Sequence, residues 1–145
     1  MSRTATRILI FGTFDIIHSG HRHMFRQARR LARQPLLIVS VARDANVKRI
    51  KGFNPESGER RRLAALRREP LVDRAVLGAP RGYLSHIVSL RPDIIALGYD
   101  QTAYTEGLAV KLKKRGLNAR IIRLKSYLPH KYKTSLLKRQ INNKR

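Results

Sequence analysis

Residues 36–42 read Leu-Leu-Ile-Val-Ser-Val-Ala, an almost unbroken aliphatic run. A strand with one wet face alternates apolar and polar side chains, so a run without alternation predicts a strand covered on both faces. Covering both faces requires helices above and below the sheet, and the rest of the chain supplies them. Apolar runs at residues 7–12, 73–77, 94–98 and 119–124 are separated by stretches with helical spacing. After the first strand, Met24, Ala28 and Leu31 fall at i, i+4 and i+7, with Phe25 and Ala32 widening the stripe and Arg22, Arg26, Arg29 and Arg33 facing out. Pro35 is expected to end that helix. A short helix or turn begins at residues 43–47, and residues 51–58 are rich enough in breakers to form a loop over the sheet. Helical patterns return at residues 59–68 with Leu63 and Leu66, at 83–90 with Leu84, Ile87 and Val88, and at 105–115 with Leu108, Ala109 and Leu112. Gly116 stands where a helix C-cap is expected. Strands alternating with helices across short connections predict an α/β fold, one doubly wound five-stranded parallel sheet. Right-handed crossovers then place a ligand beyond the carboxyl ends of the strands, where the strand order reverses. The expected order is 3-2-1-4-5, which sets the turn after the first strand beside the turn after the fourth.

The turn after the first strand reads Gly12-Thr13-Phe14-Asp15-Ile16-Ile17-His18-Ser19-Gly20-His21. It joins a buried strand to a helix, and the unsatisfied N–H groups of a helix N-terminus favour a phosphate. His18 and His21 lie one turn apart there and add side-chain donors, while Gly20 leaves room for close approach to the backbone. No G-x-G-x-x-G and no G-x-x-x-x-G-K-[ST] occurs, which excludes the usual dinucleotide and P-loop signatures. His23 extends the pattern to H-x-x-H-x-H, but with no carboxylate or thiolate nearby in sequence a transition-metal site is disfavoured.

At 145 residues the chain reads as a single domain able to bury a core. Its 32 Lys and Arg against 9 Asp and Glu give a formal charge of +23, a field that attracts any polyanion with little discrimination. The absence of cysteine excludes disulfides, Fe–S clusters and thiolate zinc sites. No apolar stretch has the form of a signal peptide or the ~20-residue length of a membrane span, so a soluble, cytoplasmic protein without membrane partners is expected.

The residues Gly12-Thr13-Phe14-Asp15 and His18-Ser19-Gly20-His21 resemble the H-x-G-H signature of the cytidylyltransferase-like nucleotidyltransferases. Val41-Ala42-Arg43-Asp44-Ala45-Asn46-Val47 and Leu97-Gly98-Tyr99-Asp100-Gln101 are similar more particularly to the archaeal-type FAD synthases, the FMN adenylyltransferases. The likeness runs from Ile8 to Ser135. It implies a Rossmann-like fold and transfer of AMP from ATP to FMN, with Mg²⁺ or another divalent cation accompanying ATP. It also implies site roles: His18, His21 and Lys51 in catalysis, and Thr13, Phe14, Ser19, Gly20 and Asp100 with the histidines around the nucleotide. Tyr127, Thr134 and Ser135 complete that set, the last two in a basic C-terminal helix or tail from about residue 131. Relatives are often dimers, so a homodimer is a family expectation. Two other readings stay open: a cytidylyltransferase using CTP and a phosphorylated alcohol or sugar, and a basic nucleic-acid-binding protein on the same scaffold. Nonspecific nucleic-acid binding fits the charge in either case.

Overall fold

Five parallel strands lie in the order β3-β2-β1-β4-β5 in a computed structural model that describes residues 5–126. They are β1 (Thr6–Gly12), β2 (Pro35–Val41), β3 (Arg74–Leu77), β4 (Ile94–Leu97) and β5 (Arg120–Arg123). Between them run α1 (Ser19–Arg29), α2 (Asp44–Lys51), α3 (Glu59–Arg67), α4 (Tyr83–Leu90) and α5 (Leu108–Lys113). This is the expected doubly wound sheet in the expected order. Among the described residues, no helix is long and apolar enough to cross a membrane.

The unbroken run at residues 36–42 owes its composition to β2 being flanked by β1 and β3 and covered on both faces. Leu37, Val39 and Val41 point into one layer with Phe25, Ala28, Leu63 and Leu66. Ile38 points into the other, with Ile87, Leu108 and Leu112. Two carboxylates fasten the amino ends of the strands: Asp73 accepts from the Leu37 N–H at 2.7 Å and Asp93 from the Arg7 N–H at 2.8 Å.

Several boundaries differ from the sequence reading. Helix α1 ends at Arg29, and Pro35 opens β2 rather than closing the helix; a proline at the first residue of a strand donates no ladder bond that is missed. Leu31 and Ala32 lie past the helix end yet still pack against the core. Lys51 is the last residue of α2, not part of the loop; Gly52, at φ 83°, turns the chain out of the helix one residue later. Helix α5 is shorter than residues 105–115 because Tyr104 and Gly107 both take left-handed backbone angles, φ 62° in each case, which no right-handed helix can contain.

Candidate active site

His18 is the N-cap of α1 and His21 its third residue, and each caps the other's backbone. The His18 ring accepts the Gly20 N–H through Nδ1 at 3.1 Å, and the His21 Nδ1 accepts the His18 N–H at 3.3 Å. This is a capping box in which imidazoles replace the usual hydroxyl and carboxylate. A neutral imidazole that accepts through Nδ1 carries its hydrogen on Nε2, so both rings offer an N–H donor. The rings stack at a centroid distance of 4.0 Å. Burial, then the neighbouring His18 and then Arg22 lower the His21 pKa to about 4, against a weak opposing pull from the Ile16 carbonyl. Burial, followed by Arg22, lowers that of His18. Both are therefore neutral donors at neutral pH. The first turn of α1 carries no acidic residue of its own.

Phe14 supports this pair from below. It holds a left-handed backbone, φ 53°, that a bulky residue seldom adopts. Its buried ring meets His21 edge-on at 5.3 Å and Phe25 at 5.8 Å. Gly12 is needed for the same reason, since a Cβ there would come within 3.1 Å of the Phe14 ring.

Arg62, fully buried on α3, holds the turn in place. Its guanidinium donates to the carbonyls of Ser57 (2.9 Å), Thr13 (2.8 Å) and Ala42 (2.8 Å) and to the Asp44 carboxylate (2.6 Å). Asp15 ties the same turn to the following loop by accepting from the Glu56 and Ser57 N–H groups, both at 2.8 Å. In the 41–47 stretch, Arg43 donates to the Gly78 carbonyl at 2.7 Å and Asn46 to that of Ala79 at 3.1 Å, so these residues fix the loop after β3. Arg60 and Arg61 are exposed. Of these three adjacent arginines Arg62 alone precedes Leu63 and lies four residues before Leu66, on the inward face.

Beside this turn, across β1 and β4, lies the stretch 98–101. Gln101 accepts the Gly98 N–H at 3.1 Å and donates to the Phe11 carbonyl at 2.8 Å, while Arg123 donates to the carbonyls of Gly98 and Gln101. Asp100 is exposed at the tip of this braced turn. One cleft of about 1190 Å³ at the carboxyl ends of the strands is lined by Thr13, Phe14, His18, Gly20, His21, Lys51 and Asp100. Lys51 is exposed at its rim. Ser19, exposed at the first position of α1, does not line the cleft. Tyr127, Thr134 and Ser135 lie outside the described residues.

A parallel sheet whose reversal point carries two stacked imidazoles at a helix start is an arrangement suited to phosphate-bearing ligands. Residues 9–140 match the sequence model described as Cytidylyltransferase-like, and the chain belongs to that family of nucleotidyltransferases. Within it, the chain is 45% identical over 125 residues to the FAD synthase of Korarchaeum cryptofilum, covering 86% of this chain and 84% of that one. It is 41% identical over 139 residues to the FAD synthase of Archaeoglobus profundus, covering 94% and 86%. Among solved structures it superimposes on one described as the lipopolysaccharide core biosynthesis protein of Thermoplasma volcanium GSS1, with a TM-score of 0.79 and 36% identity over 86% of this chain and 99% of the other.

Proposed function

We propose that this protein transfers AMP from ATP to FMN, giving FAD and pyrophosphate. A phosphate oxygen of FMN attacks the α-phosphorus of ATP, a new P–O bond forms, and the bond from that phosphorus to the bridging oxygen breaks as pyrophosphate leaves. No protein nucleophile is needed, so catalysis consists of positioning and of stabilising charge on the phosphates.

The observation that carries this reading is the reciprocal cap at His18 and His21. It places two imidazoles, each accepting a backbone N–H through Nδ1, at a helix N-terminus with no acidic residue in its first turn. In this reading they hold the triphosphate, the Thr13 backbone borders it, Asp100 receives the ribose hydroxyls and Lys51 reaches the phosphates from the rim. Tyr127, Thr134 and Ser135 would complete the nucleotide site. Among the described residues no three His, Cys, Asp or Glu side chains are grouped to hold an ion. A divalent cation would accordingly arrive with ATP, held by phosphate oxygens and water, and would supply neutralisation of the phosphate charge. The reading takes the whole chain as one catalytic domain working in the cytoplasm.

The test is to incubate the protein with Mg²⁺, with ATP or CTP, and with FMN or glycerol 3-phosphate, and to follow pyrophosphate and FAD. FAD formed only from ATP with FMN is the expected result. Turnover of CTP with the polyol phosphate would overturn the acceptor and nucleotide assignments together.

A further inference from the structure

The cleft is larger than the ~300–1000 Å³ of an ordinary single-ligand site, at about 1190 Å³. The His18, His21 and Asp100 groups occupy the part over β1 and β4. Another part is walled by α2, α4 and the β4–α5 connection, and its character is different. Five large apolar side chains are exposed among the described residues, and three of them, Ile50, Phe53 and Tyr99, line this one cleft. Facing them from α4 and the loop before α5 are Tyr83 and Tyr104, their rings 4.4 Å apart. Arg49, on α2, crosses to donate to the Tyr104 hydroxyl at 2.7 Å, linking the two walls. At the base, Ser40 and His86 share a hydrogen bond of 2.8 Å and supply the cleft with a small polar floor.

Tyr104 is also held in a left-handed conformation, φ 62°. An aromatic residue there costs about 1–3 kcal/mol and persists only where surrounding contacts enforce it, a condition concentrated at ligand sites. The Tyr83 ring and the Arg49 guanidinium are those contacts.

We propose that this half of the cleft is the subsite for the isoalloxazine ring of the acceptor, with the ring stacked on Tyr104 and covered by Ile50 and Phe53. The proposal rests on the FAD synthase reading and specifies where its second substrate sits. A fused tricyclic ring with one apolar edge and one polar edge suits aromatic and aliphatic walls over a Ser–His floor. Arg49, Lys51 and Arg81 all line the cleft around it and match the dianionic phosphate that the ring carries on its side chain.

Flavin fluorescence tests this without turnover, because stacking on tyrosine quenches it. FMN is titrated into the protein in the presence of Mg²⁺ and α,β-methylene ATP, which cannot transfer AMP, and the affinity of the analogue is measured separately by calorimetry. Wild type is expected to bind FMN with quenching. Tyr104→Ala should weaken FMN about tenfold or more and remove most of the quenching, whereas Tyr104→Phe, which keeps the ring, should retain it. Phe53 is 62% exposed, so Phe53→Ala leaves the fold intact and should also weaken FMN. The analogue should bind all three variants like wild type. Unchanged FMN affinity in both alanine variants would overturn the subsite while leaving the FAD synthase reading in place, as would a loss of analogue binding in place of FMN binding. A wild-type protein that binds the analogue but no FMN would overturn the FAD synthase reading itself, and the subsite with it.

Discussion

Replacing Arg62 with methionine keeps the apolar stem of the buried side chain and removes all four of its hydrogen bonds. The carbonyls of Thr13, Ala42 and Ser57 each lose a charged donor, and Asp44 loses its partner. A buried acceptor left unsatisfied costs about 1–3 kcal/mol. Thr13 and Ala42 line the cleft, where water can reach them, so the lower end of that range applies. The Asp44 side chain is 41% exposed and regains water, adding about 1 kcal/mol at most. Removing a buried cation also recovers part of its desolvation cost. The net expectation is about 3–4 kcal/mol of lost stability, or a Tm lower by roughly 10 °C for a chain of this size. Thermal unfolding followed by circular dichroism, with a urea titration to check that the slope is unchanged, measures it. Because the Thr13 carbonyl belongs to the turn after β1, where the triphosphate is proposed to bind, kcat should fall further than stability alone explains at temperatures where the variant is folded. Arg62→Lys, with one nitrogen for four acceptors, should lie between the two. A methionine variant melting within about 3 °C of wild type would refute the view that this guanidinium holds the site together.

His18→Ala and His21→Ala should each lower kcat by about 10²–10³ with the fold retained, the usual effect of losing one donor to developing charge; initial FAD formation rates with saturating substrates measure this. His21 also sets a pH dependence of stability. Its folded pKa of about 4 lies below the ordinary 6.5, so the unfolded chain takes up the proton first, and folding loses support as pH falls from about 6.5 towards 4. The loss reaches about 3 kcal/mol below that window and is absent above pH 7; urea midpoints of wild type and His21→Gln should accordingly converge or cross as the pH is lowered. Gln101→Ala unties Gly98 from Phe11 and should raise KM for ATP several-fold with a smaller change in kcat, read from steady-state kinetics at fixed FMN. Raising salt should strip nucleic acid from a chain of charge +23 without a matching loss of FAD synthesis, as binding and activity measured in parallel would show.

How much of this was legible in the sequence depends on the distance over which each feature is decided. The sheet order followed from an apolar run that could not be half-exposed and from crossovers that have one hand, and the place of His18 and His21 at a helix start followed from their spacing after the first strand. Those are local patterns. The partners of Arg62 come from the residues just past β1 and β2, from α2 and from the loop before α3, and no local pattern announces such a convergence. Tyr83 and Tyr104 stand 21 positions apart and meet only because α4 and the approach to α5 pack on the same face of the sheet. The overlong prediction for α5 had a visible warning in Gly107, whereas the left-handed turn at Tyr104 had none. Lys51 was assigned to the loop because its polar neighbours mask the helix, which the basic residues of the last turn of α2 in fact favour.

Aspartate, asparagine and serine are the residues that open helices most effectively, and this chain uses histidine instead, with no acid behind it. The chain by itself thus begins α1 with an inferior start signal, which a polyanion bound as proposed would supplement. Inorganic tripolyphosphate, which has neither base nor sugar, should on its own slow amide exchange in the first turn of that helix.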